Sequence, residues 1–352
     1  STLLRRSFAR VGVTYSFSNS KFAPGTTAAR TYFEAVNFQN LDGPNQLSGI
    51  RTSSIIPNYS YNTVDHPVTP SRGKSIYISS TIAGSFLGGN VNMIEPTIDF
   101  KYFRAGFKKG HVIGVHTLGR FISGFGGKTA PPFNRFYMGG ENDIRGFDIW
   151  GISPLAYIPS RTTVPVLNED GSARIQRSIG TDGRLVLSQV TQNIPTYQII
   201  YPGGDTQGVG NFEYRIPIFG PVVLAAFADI GVNRVSRSNG LNLNPGRIDQ
   251  LNADFPQAGF ENKAFLIDFT QKPRMSTGLE VQIMMPVVNA PFRFYYAFNP
   301  LRVDDFIQPP IAADRSYFPN QATFINSVAQ FGQGSQLTER QRIFRFTISR
   351  TF

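Results

Sequence analysis

The dominant pattern along the chain is an alternation of apolar and polar residues that persists over segments of about 9–12 residues. The clearest segment is 275–285, whose two faces are Met275, Thr277, Leu279, Val281, Ile283 and Met285 on one side and Ser276, Gly278, Glu280 and Gln282 on the other. A period of two predicts a β-strand. About 9–11 residues is the length of a tilted strand that crosses a bilayer, although a soluble sandwich alternates as well.

Two further strands favour an apolar face that meets lipid. Segment 292–299 has Phe292, Phe294, Tyr296 and Phe298 on one face and Arg293, Tyr295, Ala297 and Asn299 on the other. The C-terminal segment has Phe344, Phe346, Ile348, Arg350 and Phe352 on one face. Rows of large aromatics are typical of the outward band and girdles of a membrane barrel, and Arg350 near the strand end can snorkel to the interface.

The same alternation predicts about ten strands, joined by connections of very unequal length. The strands are expected near 8–18, 53–64, 74–84, 91–104, 111–122, 208–219, 222–234, 274–286, 292–299 and 341–352. Tight turns are expected at Lys108–Gly110, Gly220–Pro221 and 288–291, and long connections at 123–207, 235–273 and 300–340. Short turns on one side and long loops on the other predict an antiparallel transmembrane β-barrel. Segment 26–38 is expected to form a short helix in an outer loop.

Composition supports this interpretation. Charged residues make up 16% of the chain and aromatics 13%, with 34 glycines, 24 prolines and no cysteine, whereas soluble domains carry about 25% charged residues. No apolar run reaches the ~18 residues of a membrane helix. The net charge of +11 comes from scattered residues. Because there is no basic helix or nucleic-acid motif, anionic lipid head groups are the expected partner and nucleic acid is not.

The residues give no support for an enzyme. The three histidines are His66, His111 and His116, and the last two are five positions apart, on opposite faces of one strand. No Gly-x-Ser-x-Gly turn is present to place a catalytic serine. Residues 126–129 read Gly-Gly-Lys-Thr, but Ile122 stands where a phosphate loop needs glycine, and two prolines follow. No metal site and no cofactor are expected.

One stretch in the longest connection carries a family resemblance. Residues 136–147 read FYMGGENDIRGF, which resembles the loop signature of the BamA family, an aromatic-x-x-Gly-Gly segment followed by Val/Ile-Arg-Gly-Phe. The motif residues are Gly139, Gly140, Ile144, Arg145, Gly146 and Phe147. Four more segments resemble the family in the same order: 61–73, 211–217, 227–231 and 344–352, the last being its C-terminal β-signal, with Ser349 where glycine is common. Together they span most of the chain.

The resemblance implies a specific contact for the loop arginine. In the family the long loop folds back into the lumen, and its arginine docks on acidic residues of the inner wall. By position these are Glu213 and Asp229, which fall on the polar faces of their strands. A carboxylate can accept two guanidinium donors in a fork. Arg145 could instead be a solvated loop residue, and Glu213 could pair with Arg215 on the same strand face.

The family barrel has sixteen strands, and the ten found here match its strands seven to sixteen. A ten-stranded barrel has little room for so long a loop in its lumen. We therefore expect residues 1–352 to form the C-terminal part of the barrel domain, with upstream strands and the periplasmic POTRA domains lying outside this sequence.

The resemblance also implies a function, a location and partners. The chain is expected to lie in the bacterial outer membrane as an insertase for client β-barrel proteins, with segment 341–352, including Phe344, Phe346, Ile348, Arg350 and Phe352, as one side of a lateral gate. Its implied partners are unfolded outer-membrane proteins, assembly-complex lipoproteins, periplasmic chaperones and outer-membrane lipid or lipopolysaccharide. The alternatives are a two-partner-secretion or translocation pore of the same superfamily, a porin-like channel and a soluble all-β module.

Overall fold

The computed structural model describes residues 2–3, 8–36, 49–179, 181–285 and 290–348, and their backbone is predominantly antiparallel β-structure. The strands in chain order are β1 (Thr2–Leu3), β2 (Ala9–Ser20), β3 (Ile50–Asn62), β4 (Gly73–Ala83), β5 (Met93–Ala105), β6 (Val112–Phe121), β7 (Ser123–Gly124), β8 (Ala156–Pro165), β9 (Ile175–Ile179), β10 (Leu185–Gln189), β11 (Thr191–Ile200), β12 (Thr206–Phe219), β13 (Val222–Arg234), β14 (Phe265–Leu266), β15 (Arg274–Met285), β16 (Ala290–Leu301), β17 (Asp304–Ile307), β18 (Ser335–Thr338) and β19 (Arg342–Ile348).

The helices are short and lie in the connections. They are α1 (Thr27–Ala35), α2 (Pro245–Asp254) and α3 (Gln321–Phe331). Each begins at a capping side chain that accepts a backbone N–H, from Thr26, Asn244 and Asn320 respectively. Short 3₁₀ turns lie at Ser85–Leu87, Pro132–Asn134, Ser238–Leu241, Pro256–Ala258, Asp268–Gln271 and Arg315–Tyr317. Of the helices in the described ranges, none combines the length and apolar character needed to span a bilayer.

One large antiparallel sheet contains all ten strands that the alternation predicts. Its order is β1-β2-β3-β4-β5-β6-β12-β13-β15-β16-β19, with β7 paired to β5. Each long strand of the sheet therefore pairs with the next one along the chain. The long connections leave the sheet and lead back to the strand that pairs with the one they follow. The predicted strands and the tight turns at Lys108–Gly110 and Gly220–Pro221 are confirmed. Residues 286–289, in the third predicted turn, lie outside the described residues.

The faces of this sheet are the reverse of those in a soluble sandwich. On β15, Leu279 and Val281 are exposed, whereas Glu280 is fully buried. On β16, Phe294 and Tyr296 are exposed. The buried side chains of the same strand are Arg293, Tyr295, Ala297 and Asn299. On β15 and β16 the apolar side chains therefore point away from the protein, and the polar face is covered by the chain itself.

The long connections contain structure that the sequence pattern did not predict. Between β6 and β12, strands β8 and β11 pair with each other, and β9 and β10 form a separate hairpin. The other edge of β8 pairs with β14, which lies in the connection between β13 and β15. Pro159 and Pro195 lie within β8 and β11, and proline inside a run argues against a strand when only the sequence is read. Helix α1 falls within its predicted segment and packs its buried Tyr32 and Phe33 into the main apolar cluster of the loops.

The turn between β3 and β4 is longer than its neighbours and is ordered by Asp65. Its carboxylate accepts hydrogen bonds from the backbone of Ser71 (2.9 Å) and Arg72 (3.2 Å) and from the Ser71 hydroxyl. Slight burial raises the pKa of Asp65, but these hydrogen bonds outweigh it and hold the pKa at about 2. The acid therefore stays ionised and keeps the turn closed at ordinary pH.

Candidate functional site

Arg145 lies on the polar face of the large sheet, with only 1% of its surface exposed. Its Nε and Nη2 donate to the two carboxylate oxygens of Asp229, at 2.7 and 2.8 Å. Its Nη1 donates to Glu213 at 2.6 Å and to Glu280 at 3.3 Å. The backbone N–H of Arg145 also donates to Asp229, at 3.0 Å. The structure thus brings Arg145 together with both residues that the sequence placed opposite it, and adds a third acid.

Two further arginines complete the charge balance of this site. Arg215 Nε donates to the second oxygen of Glu213 at 2.7 Å. Arg293 forms a fork on Glu280, with both donor distances at 2.8 Å. Three arginines therefore face three carboxylates, so the formal charges sum to zero (+3 and −3). We call these six residues the wall network: Arg145, Glu213, Arg215, Asp229, Glu280 and Arg293.

The strand registers explain why the acids converge. The carboxylates come from three consecutive strands, with Glu213 on β12, Asp229 on β13 and Glu280 on β15. Glu213 lies opposite Phe227, two residues before Asp229 on its strand. The guanidinium carbon of Arg145 sits 3.9 Å above the centre of the Phe227 ring. Each acid occupies one of the alternating positions whose side chains are buried. All three carboxylates therefore lie on the same face of the sheet, which faces the loop.

The segment around Arg145 is anchored by apolar contacts as well as by charge. Met138, Ile144, Phe147 and Ile152 of the loop form a buried cluster with Val209 of β12. Burying several such side chains stabilises the docked position by roughly 1.5–3 kcal/mol for each one. The apolar residues around Arg145 therefore also hold its segment against the sheet.

Amide side chains of the wall hold the backbone of the same segment. Asn211 donates to the carbonyl of Asp143 at 2.7 Å, and Asn299 donates to the carbonyl of Gly146 at 2.7 Å. Asn233 donates to the carbonyls of Phe136 and Ile152 on either side of these residues, at 2.7 and 3.0 Å. These bonds tie the backbone of the loop segment to the wall, each contributing about 0.5–1.5 kcal/mol.

At Gly146 the loop backbone approaches the wall closely. Its φ is +83°, and a Cβ built on it would lie 2.5 Å from Oδ1 of Asn299, 2.8 Å from Cβ of Ala297 and 3.0 Å from Oγ of Ser276. The backbone conformation and the lack of space both require glycine. Gly139 and Gly140 also have positive φ, of +117° and +91°.

We expect Gly146→Ala to weaken docking of the loop by at least the 1–3 kcal/mol or so that is typical of a strained backbone position. Trp150, the single tryptophan in the sequence, lies on the same segment, so its emission and the amide exchange of 136–152 report the change. Gly171→Ala is the matched control, because Gly171 has φ +82° and a Cβ added there would meet no atom within 4 Å. Equal exchange in the two variants would contradict the role of the close approach.

The last strand, β19, contacts the docked loop segment through its inner face. Phe344, Phe346 and Ile348 point outward and are 49–67% exposed. On the opposite face, Arg345 donates to the carbonyl of Phe147 at 3.0 Å and pairs with the carboxylate of Asp148. The final strand is therefore held by the loop from inside. Arg350 and Phe352 of the expected β-signal lie outside the described residues.

A polar cavity lies beside the docked segment, on the same face of the sheet. It has a volume of about 800 Å³ and is lined in part by Asp99, Lys101 and His116 of the wall and by Asp143 of the loop. His116 contacts the Oδ1 atom of Asn211 through Nδ1 at 2.8 Å. Within the described ranges, no group of three or more histidine and carboxylate side chains is arranged to hold a metal ion.

A family profile and two known proteins are similar to this chain. A family profile described as the Omp85 superfamily domain matches residues 6–352. The outer membrane protein assembly factor BamA of Nitratidesulfovibrio vulgaris (strain Hildenborough) is 29% identical over 96 residues, which are 27% of this chain and 12% of that protein. The solved structure of BamA from Haemophilus ducreyi lacking POTRA domains 1-3 aligns with a TM-score of 0.46 at 18% identity. That alignment covers 83% of this chain and 47% of that one, so the match spans less than half of either relative.

Proposed function

The chain belongs to the Omp85 superfamily, and from that premise we propose that it assembles client β-barrel proteins into the outer membrane through an opening beside its last strand. The family resemblance expected from the sequence is confirmed, and so is its predominantly antiparallel β-structure. The chain is an outer-membrane protein. The observation that carries the proposal is the pairing of β19, which is held by the loop from inside and carries an apolar outer face.

The edge of β19 is the feature a client could use. β19 pairs with β16 on one side, and the client strand is proposed to lie on its other side. A strand edge presents backbone N–H and C=O groups that can pair with another chain. An incoming strand that adds to this edge gains main-chain hydrogen bonds while its apolar side chains enter lipid beside Phe344 and Phe346. The free energy of client folding drives the step, so the proposed mechanism uses no covalent chemistry, cofactor or nucleotide.

The docked loop supports this mechanism from the other side. Arg345 of β19 contacts Phe147 and Asp148, which follow Arg145 by two and three residues. The wall network therefore fixes the segment that in turn fixes the last strand. We propose that Gly139, Gly140, Ile144, Arg145, Gly146 and Phe147 act as one docking element. The unfolded outer-membrane proteins, lipoproteins and chaperones expected from the sequence are the proposed partners.

Site-specific crosslinking tests the proposal. A photoreactive phenylalanine analogue at Phe346 should crosslink an unfolded outer-membrane β-barrel protein added to vesicles that contain the chain. The same analogue at Phe212, an outward aromatic of mid-sheet strand β12, is the matched control, because the two side chains are 49% and 43% exposed. We expect several-fold more product at 346. Equal labelling at both positions would contradict assembly at the edge of β19.

One observation favours a second candidate, a translocation pore of the same superfamily. The polar cavity of about 800 Å³ lies on the inner face of the sheet, where a substrate in transit would pass. A crosslinker at Lys101, which lines this cavity, would label a translocated polypeptide. Labelling at 101 without labelling at 346 would favour the pore over the insertase.

A further inference from the structure

Charged residues on the outward face of the large sheet are confined to its two ends. At the end with short turns they are Lys74 and Arg104, and at the end with long loops they are Arg51, Arg234 and Arg342. Between these ends, the outward positions of the described strands carry no charged side chain. All five are cations. The band of uncharged outward positions between the two ends, which we call the apolar belt, is therefore bordered by positive charge and not by a mixture of signs.

The cations at the short-turn end lie side by side. Lys74 on β4 is directly opposite Tyr102 on β5, and Arg104 follows Tyr102 at the next outward position. Such diagonal neighbours are about 7–8 Å apart. The ammonium of Lys74 lies 5.5 Å from the centre of the Tyr61 ring. At the long-loop end, by contrast, the three arginines are on strands β3, β13 and β19, of which β3 is separated from β13 by several strands of the sheet.

The turn that follows β5 extends the same patch. Phe107 is 86% exposed and its ring lies tilted against that of Tyr214, with the ring centres 5.7 Å apart. Exposed Lys108 and Lys109 come next. The turn is ordered, because the backbone N–H of Gly106 donates to the carbonyl of His111 at 2.8 Å. We define the rim patch as Lys74, Tyr102, Arg104, Phe107, Lys108 and Lys109.

The charges of the rim patch are not neutralised by the protein. Within the described residues, Lys74, Arg104, Lys108 and Lys109 form no ion pair. The nearby pairs are Arg72 with Asp65 (3.8 Å) in the next turn and Lys101 with Asp99 (3.9 Å) on the opposite face of β5. The four cations therefore lie next to exposed aromatic rings, at the edge of the apolar outward face, without an anionic partner among the described residues.

We propose that the rim patch binds the phosphate of anionic glycerophospholipids in the periplasmic leaflet of the outer membrane. Short turns mark the periplasmic side of an outer-membrane barrel, and aromatic rings at that level sit among head groups. The patch is continuous with the lipid-facing belt through Tyr102, so a lipid whose chains lie along the belt has its head group at Lys74 and Arg104. A cation near an anionic head group contributes about fivefold in affinity.

Lipid selectivity of the reconstituted chain tests this inference. The chain is placed in phosphatidylcholine bilayers with a small fraction of spin-labelled phosphatidylglycerol or spin-labelled phosphatidylcholine, and the motionally restricted fraction is measured. We expect the wild type to prefer the anionic lipid. Lys74→Gln with Arg104→Gln should reduce the preference by about 25-fold if both cations contribute fully, and added Lys108→Gln and Lys109→Gln should bring it close to one. High salt should weaken the preference by screening.

The matched control is Arg174→Gln with Arg177→Gln, because both are exposed cations of the long connection and their loss changes the net charge equally. This control should keep the wild-type preference. Heat-modifiable migration checks that every variant is folded. The inference is overturned if the wild type shows no preference, if the fourfold variant keeps it, or if the control loses as much. Abolition by millimolar inorganic phosphate would overturn it as well, since that would mark a free-anion site.

Discussion

Arg145→Ala is expected to release the loop segment from the wall and to abolish most of the proposed assembly activity. The substitution leaves Asp229, 1% exposed, without the fork that Arg145 supplies, and within the described residues no other cation pairs with it. Removing one partner of a buried ion pair costs about 3–5 kcal/mol. The docked state should therefore lose on the order of a hundredfold to a thousandfold or more in population. Amide exchange of 136–152, Trp150 emission and client folding in vesicles measure the loss.

Two companion variants make this prediction specific. Arg174→Ala removes an exposed arginine from the same connection and should leave exchange and activity unchanged. Arg145→Met with Asp229→Asn removes one positive and one negative charge, so the remaining network is balanced (+2 and −2). That double variant should dock better than Arg145→Ala, because a neutral replacement strands no buried charge. Wild-type protection of 136–152 in Arg145→Ala would refute the assigned role of the network.

The strands could be predicted because the alternation of apolar and polar residues is a local property of the sequence. Residues 275–285 and 292–299 alternate so regularly that both the strand type and the two faces follow from the period of two. The orientation of the faces followed as well, since four large aromatics opposite Arg293 and Asn299 suit lipid better than a core. The exposed Tyr296 and the buried Arg293 have the expected orientation.

The third acid of the site was not predictable from local pattern. Glu280 falls on the polar face of its strand, but alternation assigns a face without giving the register between strands. In the structure, Glu280 lies opposite Ala225, four residues from Asp229 on the neighbouring strand. Only that register brings its carboxylate to 3.3 Å from Arg145. A signal was nevertheless present: Glu280 and Arg293 are charged residues on the polar faces of consecutive strands.

The small sheets in the long connections were missed for a different reason. Strands β8 and β11 pair along their whole length, yet their inner residues pack against other loops instead of a regular sheet face. Their burial therefore depends on contacts with α1 and α2, which are distant in sequence. Period-two alternation is weak in such strands, and the prolines at 159 and 195 further obscure it.

Glu280→Gln is expected to destabilise the site by about 3–5 kcal/mol, although it changes the shape of the side chain little. Glu280 is fully buried and accepts the fork of Arg293 as well as one bond from Arg145. Its neutralisation leaves three arginines facing two carboxylates, a net charge of +1 in a buried site. The free energy of unfolding in urea, followed by heat-modifiable migration, measures the change, and Glu169→Gln at an exposed loop acid is the control.

The double variant Glu280→Gln with Arg293→Gln decides whether charge balance is the cause. It returns the network to neutrality, with two arginines and two carboxylates, and Gln282 remains available to bond to either new amide. If unpaired charge is the dominant cost, the double variant should be more stable than the sum of the two single losses predicts, by roughly 0.5–3 kcal/mol as is typical of coupled neighbours. Strict additivity would mean that Glu280 and Arg293 stabilise the wall independently, and the six residues would then not act as one network.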